Sequence, residues 1–283
     1  MSPAAPHSGK LPVLTVEKVW GMDRLPAPFA DQAGKRIGEI WFEPPPEMDE
    51  LLVKYLFTSE KLSVQVHPSD DQAPPGSSGK EECWLVLDAA PDAQLAIGFK
   101  HQISPEAIRA AALDGSIEDL LVWHPAKAGD FFYLPAGTVH AIGPGLSLVE
   151  IQQNCDITYR LFDYGRPREL HLDQAIEVAS GRPHDPALRR SFGVNGSACL
   201  VDGPLFRIDR IVGPPTADLL TRYVGRALVL PLAGPVDLGE IRIEAGECGW
   251  TENLAAADFS QAGNSLVIQP ITSPIRNLAG NSQ

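Results

Sequence analysis

The stretch 129-GDFFYLPAGTVH-140 sets Gly129, Pro135, Gly137 and His140 in a short, fixed order. Residues 131–134 are apolar or aromatic and read as a strand, and the Pro-x-Gly after them reads as a tight turn. His140 then falls at the entry to the next strand. Such an arrangement holds an imidazole rigidly at the mouth of a barrel. The plain alternative is a turn that happens to carry a surface histidine, and the choice depends on what other strands bring to the same place.

The stretch 62-LSVQVHPSDDQAP-74 bears on that choice. Leu62, Val64 and Val66 alternate with Ser63, Gln65 and His67, the two-residue period of a strand with two unlike faces. Residues two apart on one face stand ~6–7 Å apart, so Gln65 and His67 reach a common ion only if both side chains converge inward. A solvent-exposed face, or a hydrogen-bonded Gln/His pair, is the other reading. Glu82, in 79-GKEECWLVL-87, adds a carboxylate. Two imidazoles, a carboxylate and an amide oxygen suit Zn²⁺ and other divalent first-row metals, and a set of three or four with an open position is the catalytic type.

The bulk of the chain bounds the answer. It has 283 residues, 44% apolar and 21% charged, with a net charge of −13 and no cluster of Lys and Arg. That balance argues against nucleic acid or an anionic membrane as a partner, while leaving room for a small anionic substrate. No apolar run approaches the length of a membrane span. The opening MSPAAPHSGKLPVL lacks a basic segment followed by an apolar core, so no secretory signal is read there. The four cysteines are scattered, with no C-x-x-C pair, and are expected as reduced thiols in the cytoplasm.

Gly and Pro punctuate short apolar segments at intervals of about ten residues, as in sandwiches and barrels. Strands are expected at 37–43, 51–57, 62–68, 83–89, 94–99, 131–135, 146–153, 205–212, 227–232, 238–244 and 265–271. Two segments interrupt them. In 104-SPEAIRAAALDGSIEDLLVWHP-125, Ser104 caps a helix that Pro105 opens, and Gly115-Ser116 reads as a break and a second cap, with Asp119 completing a box. The segment 169-ELHLDQAIEVASG-181 reads as a helix ended by Gly181. The stretch 181–196, rich in Gly, Pro and Arg, reads as a linker. The expected organisation is a metal-binding β domain over 1–180, with a short helical insertion at about 104–125, and a smaller β domain over 181–283. In the latter, 246-GECGWTENLAAADF-259 faintly echoes 129–142 without its proline, second glycine and histidine.

The spacing G-x5-P-x-G-x2-H over residues 129–140 resembles the second motif of the cupin barrels. At greater length the sequence resembles the type I mannose-6-phosphate isomerases in their short bacterial form. The strings that carry the likeness are 63-SVQVHP-68, 79-GKEECW-84, 129-GDFFYLPAGTVHAIGPG-145, 148-LVEIQQNCDITYRLFDYGR-166 and 169-ELHLDQAIEV-178, with weaker support from 20-WG-21 and 38-GEIW-41. The resemblance covers about residues 15–180.

The resemblance implies a cupin (jelly-roll) barrel followed by a degenerate second copy. It further implies one zinc ion held by Gln65, His67, Glu82 and His140, and interconversion of mannose 6-phosphate and fructose 6-phosphate through an enediolate. Lys80 and Arg160 are implied in the substrate site, and Ser63 near the sugar phosphate. Glu150 is implied either as an acid/base or as a carboxylate that orients a ligand histidine. The partner is then a small phosphorylated sugar, and the assembly a monomer or homodimer. A non-catalytic sugar-phosphate sensor, or an isomerase of another sugar, is the alternative. The chain departs from the family pattern at Glu81, where a small residue or Thr is usual, and in lacking the large helical domain of longer members. Alternation turns Glu81 away from the barrel interior.

Overall fold

Leu51–Thr58 pairs antiparallel with Leu146–Gln153 from Leu51↔Gln153 to Thr58↔Leu146, and Leu146–Gln153 pairs on its other side with Glu82–Ala89. Every residue of Leu51–Thr58 and Leu146–Gln153 is buried, and their Val, Ile, Tyr and Phe side chains suit a pleated, buried surface. In this computed structural model residues 7–29 and 34–271 are described; residues 1–6, part of the stretch read for a secretory signal, lie outside them, as does the end of the 181–283 domain. The described residues divide into two compact units. One comprises the described residues within 14–41 and 51–194, the other those within 1–13, 42–50 and 195–283.

The larger unit holds two sheets. The seven-stranded one runs Arg189–Ser191, Asp130–Leu134, Glu82–Ala89, Leu146–Gln153, Leu51–Thr58, Ile37–Phe42 and Val13–Met22. The five-stranded one runs Tyr159–Phe162, Val64–Val66, His140–Ile142, Gln94–Phe99 and Leu121–Pro125. This mainly β, antiparallel architecture is the cupin jelly roll expected from the sequence.

Two apolar layers explain the alternation at 62–67. Val64 and Val66 point outward, where they pack with Ile108, Ala112, Leu161 and Ala175 beneath the helices Pro105–Asp114 and Leu172–Val178. Between the sheets, Trp20, Leu56, Trp84, Ile97, Phe132, Ile142 and Leu148 fill one part of the barrel. Full burial of such side chains contributes ~1.5–3 kcal/mol each. The remainder of the interior is left to polar groups.

Several local expectations need correction. Ser104 caps its helix as expected, accepting from the Ala107 N–H at 3.2 Å, and Gly115 takes the left-handed conformation that ends it. Ser116, however, has helical dihedrals and donates to Asp114, so no second capping box forms. The second helix is a single turn, Ile117–Leu120. Residues 121–125 form a strand instead, because Leu95↔His124 and Ala96↔Trp123 pairing offers their backbone a sheet edge. The helix expected to run to Gly181 stops at Val178, with Ala179 extended. The stretch read as a linker adds Arg189–Ser191 to the edge of the seven-stranded sheet, with Phe192 edge-on against Phe131. The run 238–244 is broken at Gly239 into two short strands, Val236–Leu238 and Ile241–Ile243.

Arg189 also donates to Nδ1 of His124 at 2.7 Å. Burial, and then the positive charge of Arg189, hold this imidazole down to about 4. The folded chain thus binds fewer protons than the unfolded one between pH 6.5 and about 4, and its stability falls as pH drops through that window. Urea titrations across this range are expected to show that fall, with a shallower slope for His124→Gln; equal slopes would clear His124 of it.

The smaller unit has a six-stranded sheet in the order Ser8–Lys10, Gly249–Thr251, Ala227–Ala233, Asn264–Pro270, Phe206–Ile211 and Ala198–Asp202, with a three-stranded sheet of Ile241–Ile243, Val236–Leu238 and Ala257–Asp258. Its core is apolar, built on Val229, Val236, Leu238, Ile243, Phe259 and Val267. Among the described residues, the one group of three or more His, Cys, Asp and Glu able to share a metal lies in the larger unit.

Candidate functional site

Strand register builds the site as two rows. On the seven-stranded sheet, Lys54 lies opposite Glu150, and Glu150 opposite Trp84, with Gln152↔Glu82 the next same-face pair. On the five-stranded sheet, His140 lies opposite Gln65, and Gln65 opposite Arg160. Period-two alternation turns each row to one face, and the rows meet across the barrel, where Glu82 Oε1 stands 3.3 Å from His140 Nε2.

The turn singled out from the sequence ties the two histidines together. Gly137 has φ +81° and its N–H donates to the His67 carbonyl at 2.9 Å. A Cβ there would stand 2.8 Å from the Val178 carbonyl oxygen, so both conformation and space call for glycine. At the other end of the motif Gly129 has φ +87°, and a Cβ would collide with the Gly193 carbonyl oxygen at 2.1 Å.

His67, Glu82 and His140 are buried and bring their ligating atoms within 4.8 Å of one another. Each imidazole has its Nδ1 against a backbone carbonyl, Ile157 at 2.8 Å for His67 and Thr138 at 2.9 Å for His140. Those contacts place the proton on Nδ1 and leave the Nε2 lone pairs facing Glu82, with His67 Nε2 at 3.5 Å from Oε2. Neither oxygen of Glu82 accepts a hydrogen bond. Two imidazole nitrogens and two carboxyl oxygens, buried and facing one another, are a cation site in their donor chemistry. Lys80 lies buried 3.4 Å from both Glu82 Oε2 and His67 Nε2.

The electrostatics agree. Burial holds His67 well below its ordinary value and His140 down to about 4, so both imidazoles are neutral. Burial and then the charge of Glu150 push Glu82 up to about 8, against the opposing pull of Lys80 and Lys54. An ion binding there takes the place of that proton.

Gln65 stands beside this cluster but presents its amide nitrogen to His140, Nε2 to Nε2 at 3.3 Å, while Ser63 Oγ donates to its Oε1 at 3.1 Å. Gln65 offers oxygen to the cluster only with its amide turned over. The Ser63 hydroxyl tolerates that rotation, because it accepts as readily as it donates. Glu81 turns outward, as alternation requires, and takes the Tyr133 hydroxyl and the Ala136 N–H.

Glu150 accepts from the Trp84 indole at 3.0 Å and pairs with Lys54 at 3.4 Å. Burial works against its charge, but Lys54 and Lys80 outweigh it, and its value lies below the ordinary one. It hydrogen-bonds neither His67 nor His140, since both Nδ1 groups are taken by carbonyls.

A cleft of about 400 Å³ opens beside the cluster, lined among others by Ser63, Gln65, Lys80, Glu150 and Arg160. It also holds residues that sequence reasoning passed over: Lys18, Glu39, Trp41, Lys54, Arg168 and His171. Lys18 pairs with Glu39 at 3.4 Å, the Trp41 indole donates to Glu39 at 2.7 Å, and the Lys54 ammonium lies 4.5 Å over the Trp41 ring. A signal for Lys54 was present: a lysine inside 51-LLVKYLFT-58, a run otherwise fit only for burial, needs a carboxylate partner across the sheet.

No protein-family model matches the chain. In sequence it is similar to the mannose-6-phosphate isomerase of Streptococcus mutans, 41% identical over 169 residues, which are 56% of this chain and 53% of that one. The chain thus spans about half the length of the curated relatives it matches. In fold it is similar to the mannose 6-phosphate isomerase of Bacillus subtilis, with a TM-score of 0.70 and 23% identity over 94% of this chain and 100% of that one. It is also similar to a zinc-bound mannose 6-phosphate isomerase, with a TM-score of 0.65 and 13% identity over 94% and 100% of the two chains.

Proposed function

We propose that this protein interconverts mannose 6-phosphate and fructose 6-phosphate, with a zinc ion held by His67, Glu82 and His140 and by Gln65 once its amide is turned. The observation that carries the reading is the pair of unsatisfied Glu82 oxygens facing two Nε2 lone pairs at the wall of a cationic cleft. The likeness to mannose-6-phosphate isomerases in sequence and fold supports it.

Moving a carbonyl between C1 and C2 requires a proton transfer between those carbons and another between their oxygens. The carbon acid is weak, so the enediolate needs charge stabilisation. When bound, a divalent cation supplies positive charge beside those oxygens. Lys80, next to the ligand cluster, adds a second positive charge and a donor. Arg160, next to Gln65 in register, reaches the sugar from the facing sheet. Glu150 lines the cleft, its charge favoured by Lys54 and Lys80, and we assign it the carbon-bound proton, with Lys54 holding it in place. The Trp84 N–H fixes its other oxygen.

The chemistry falls to the larger unit, and we read the smaller as a degenerate copy of the barrel without a ligand set, in a monomer or homodimer. The four cysteines are free, and no helix among the described residues is long and apolar enough to cross a membrane. We read the compartment as the cytoplasm.

Purified protein of known metal content is expected to form fructose 6-phosphate from mannose 6-phosphate in a coupled assay. Turnover should vanish with a chelator and return with zinc. Stoichiometric metal with no turnover on mannose 6-phosphate would overturn the isomerase and favour a sugar-phosphate sensor.

A further inference from the structure

The cations of the cleft are not equivalent. Lys18, Lys54 and Lys80 each face a carboxylate, at 3.4 Å in every case. Arg160 makes no ion pair: Asp163, three residues on, is taken by the Arg168 fork at 2.6 Å through both Nε and Nη2, and Asp156 lines the cleft without reaching Arg160 within salt-bridge distance. The Arg160 Nε is buried and lacks a partner. A guanidinium has five N–H groups, so Arg168 keeps three after its fork to Asp163. Burial, and then the like charge of Arg168, hold Arg160 below its ordinary value. Two guanidinium groups thus crowd one end of the cleft, a repulsion that an anion between them would relieve.

His171 completes this end. It sits before the helix Leu172–Val178, but its ring caps nothing. Instead its Nδ1 accepts from the Arg160 N–H at 3.2 Å, and its own N–H donates to the Arg160 carbonyl at 2.8 Å. The strand Tyr159–Phe162 is the edge of its sheet, so His171 supplies the pairing that a further strand would have given. An Nδ1 that accepts leaves the neutral ring's proton on Nε2, as a donor beside the two arginines.

We propose that Arg160, Arg168 and His171 form the pole of the cleft that takes the substrate's phosphate, with the Nε2–H of His171 as a direct donor. This rests on reading the site as one for sugar phosphates. It also orients the sugar. The row His140, Gln65, Arg160 crosses the sheet at ~4.8 Å per strand, so Arg160 lies one strand from Gln65 and two from His140. Sugars whose phosphate is far from the carbonyl carbon span that separation, and sugars phosphorylated beside it do not.

The test is binding of inorganic phosphate to the zinc-loaded protein, read by calorimetry, which needs no turnover. His171→Asn keeps an acceptor where Nδ1 stood and removes the Nε2–H. It is expected to weaken phosphate about tenfold, the worth of one hydrogen bond to a charged group, with zinc content unchanged. His171→Ala, which also frees the Arg160 backbone, is expected to weaken it further; should that variant unfold, His171→Asn decides. The KM for mannose 6-phosphate is expected to rise by a larger factor than kcat falls. Phosphate affinity unchanged in His171→Asn, or no phosphate binding by the parent protein, overturns the pole even if mannose 6-phosphate is turned over. Weaker phosphate binding in His171→Asn, from a parent that turns over no sugar, upholds the pole and sinks the isomerase.

Discussion

Replacing Glu82 with glutamine is expected to lower affinity for divalent metal by about a thousandfold or more, a loss of ~4 kcal/mol at ~1.4 kcal/mol per decade. Glu82 is the only carboxylate in the cluster, and both its oxygens face the imidazole nitrogens. Glutamine fills the same space but brings no charge, and one of its two terminal atoms is a donor. The fold should survive, because the carboxyl of the metal-free protein, pushed up to about 8, is already neutral at pH 7. Metal content by atomic absorption after dialysis, beside a thermal melt of the same sample, separates the two effects. A Glu82→Gln protein that keeps stoichiometric metal would remove Glu82 from the ligand set.

Lys54→Met is expected to cost about 3 kcal/mol of stability, the lower end of the range for removing one member of a buried ion pair. Glu150 would then be left inside the barrel with the Trp84 N–H and the more distant charge of Lys80. The double variant Lys54→Met/Glu150→Gln is expected to recover at least half of the loss, since a glutamine oxygen still accepts from Trp84. Urea unfolding of the four proteins in the cycle gives the coupling directly. If the single and double variants are equally destabilised, the cost lies in the lysine stem and its contact with Trp41 rather than in the ion pair.

The parts of the site that sequence reading reached are those joined by a few residues of chain. Gln65 and His67 share a strand face, and the Pro135–His140 turn fixes its histidine locally, so their spacing is visible in one dimension. Glu82 was found because its string resembles a known one. Lys54 meets Glu150 across a strand pair, 96 residues apart in the chain, and only register brings them together. His171 stands just before a helix, yet its ring serves the backbone of Arg160, a partnership that no local pattern encodes. The same limit applies to the fold. Central strands such as Leu51–Thr58 and Leu146–Gln153 announced themselves by composition. Edge strands such as Arg189–Ser191 and Leu121–Pro125 did not, because what makes them strands is the neighbour that offers them a ladder.

The pairing of Ser8–Lys10 with Gly249–Thr251 joins positions 243 residues apart. On a ribosome adding about 5–20 residues per second, the first of these strands emerges tens of seconds before its partner exists. All the strands of the larger unit lie within residues 13–191 and can close while the remainder is still being made. The smaller unit must wait for release of nearly the whole chain, and until then its earliest strand is an open edge.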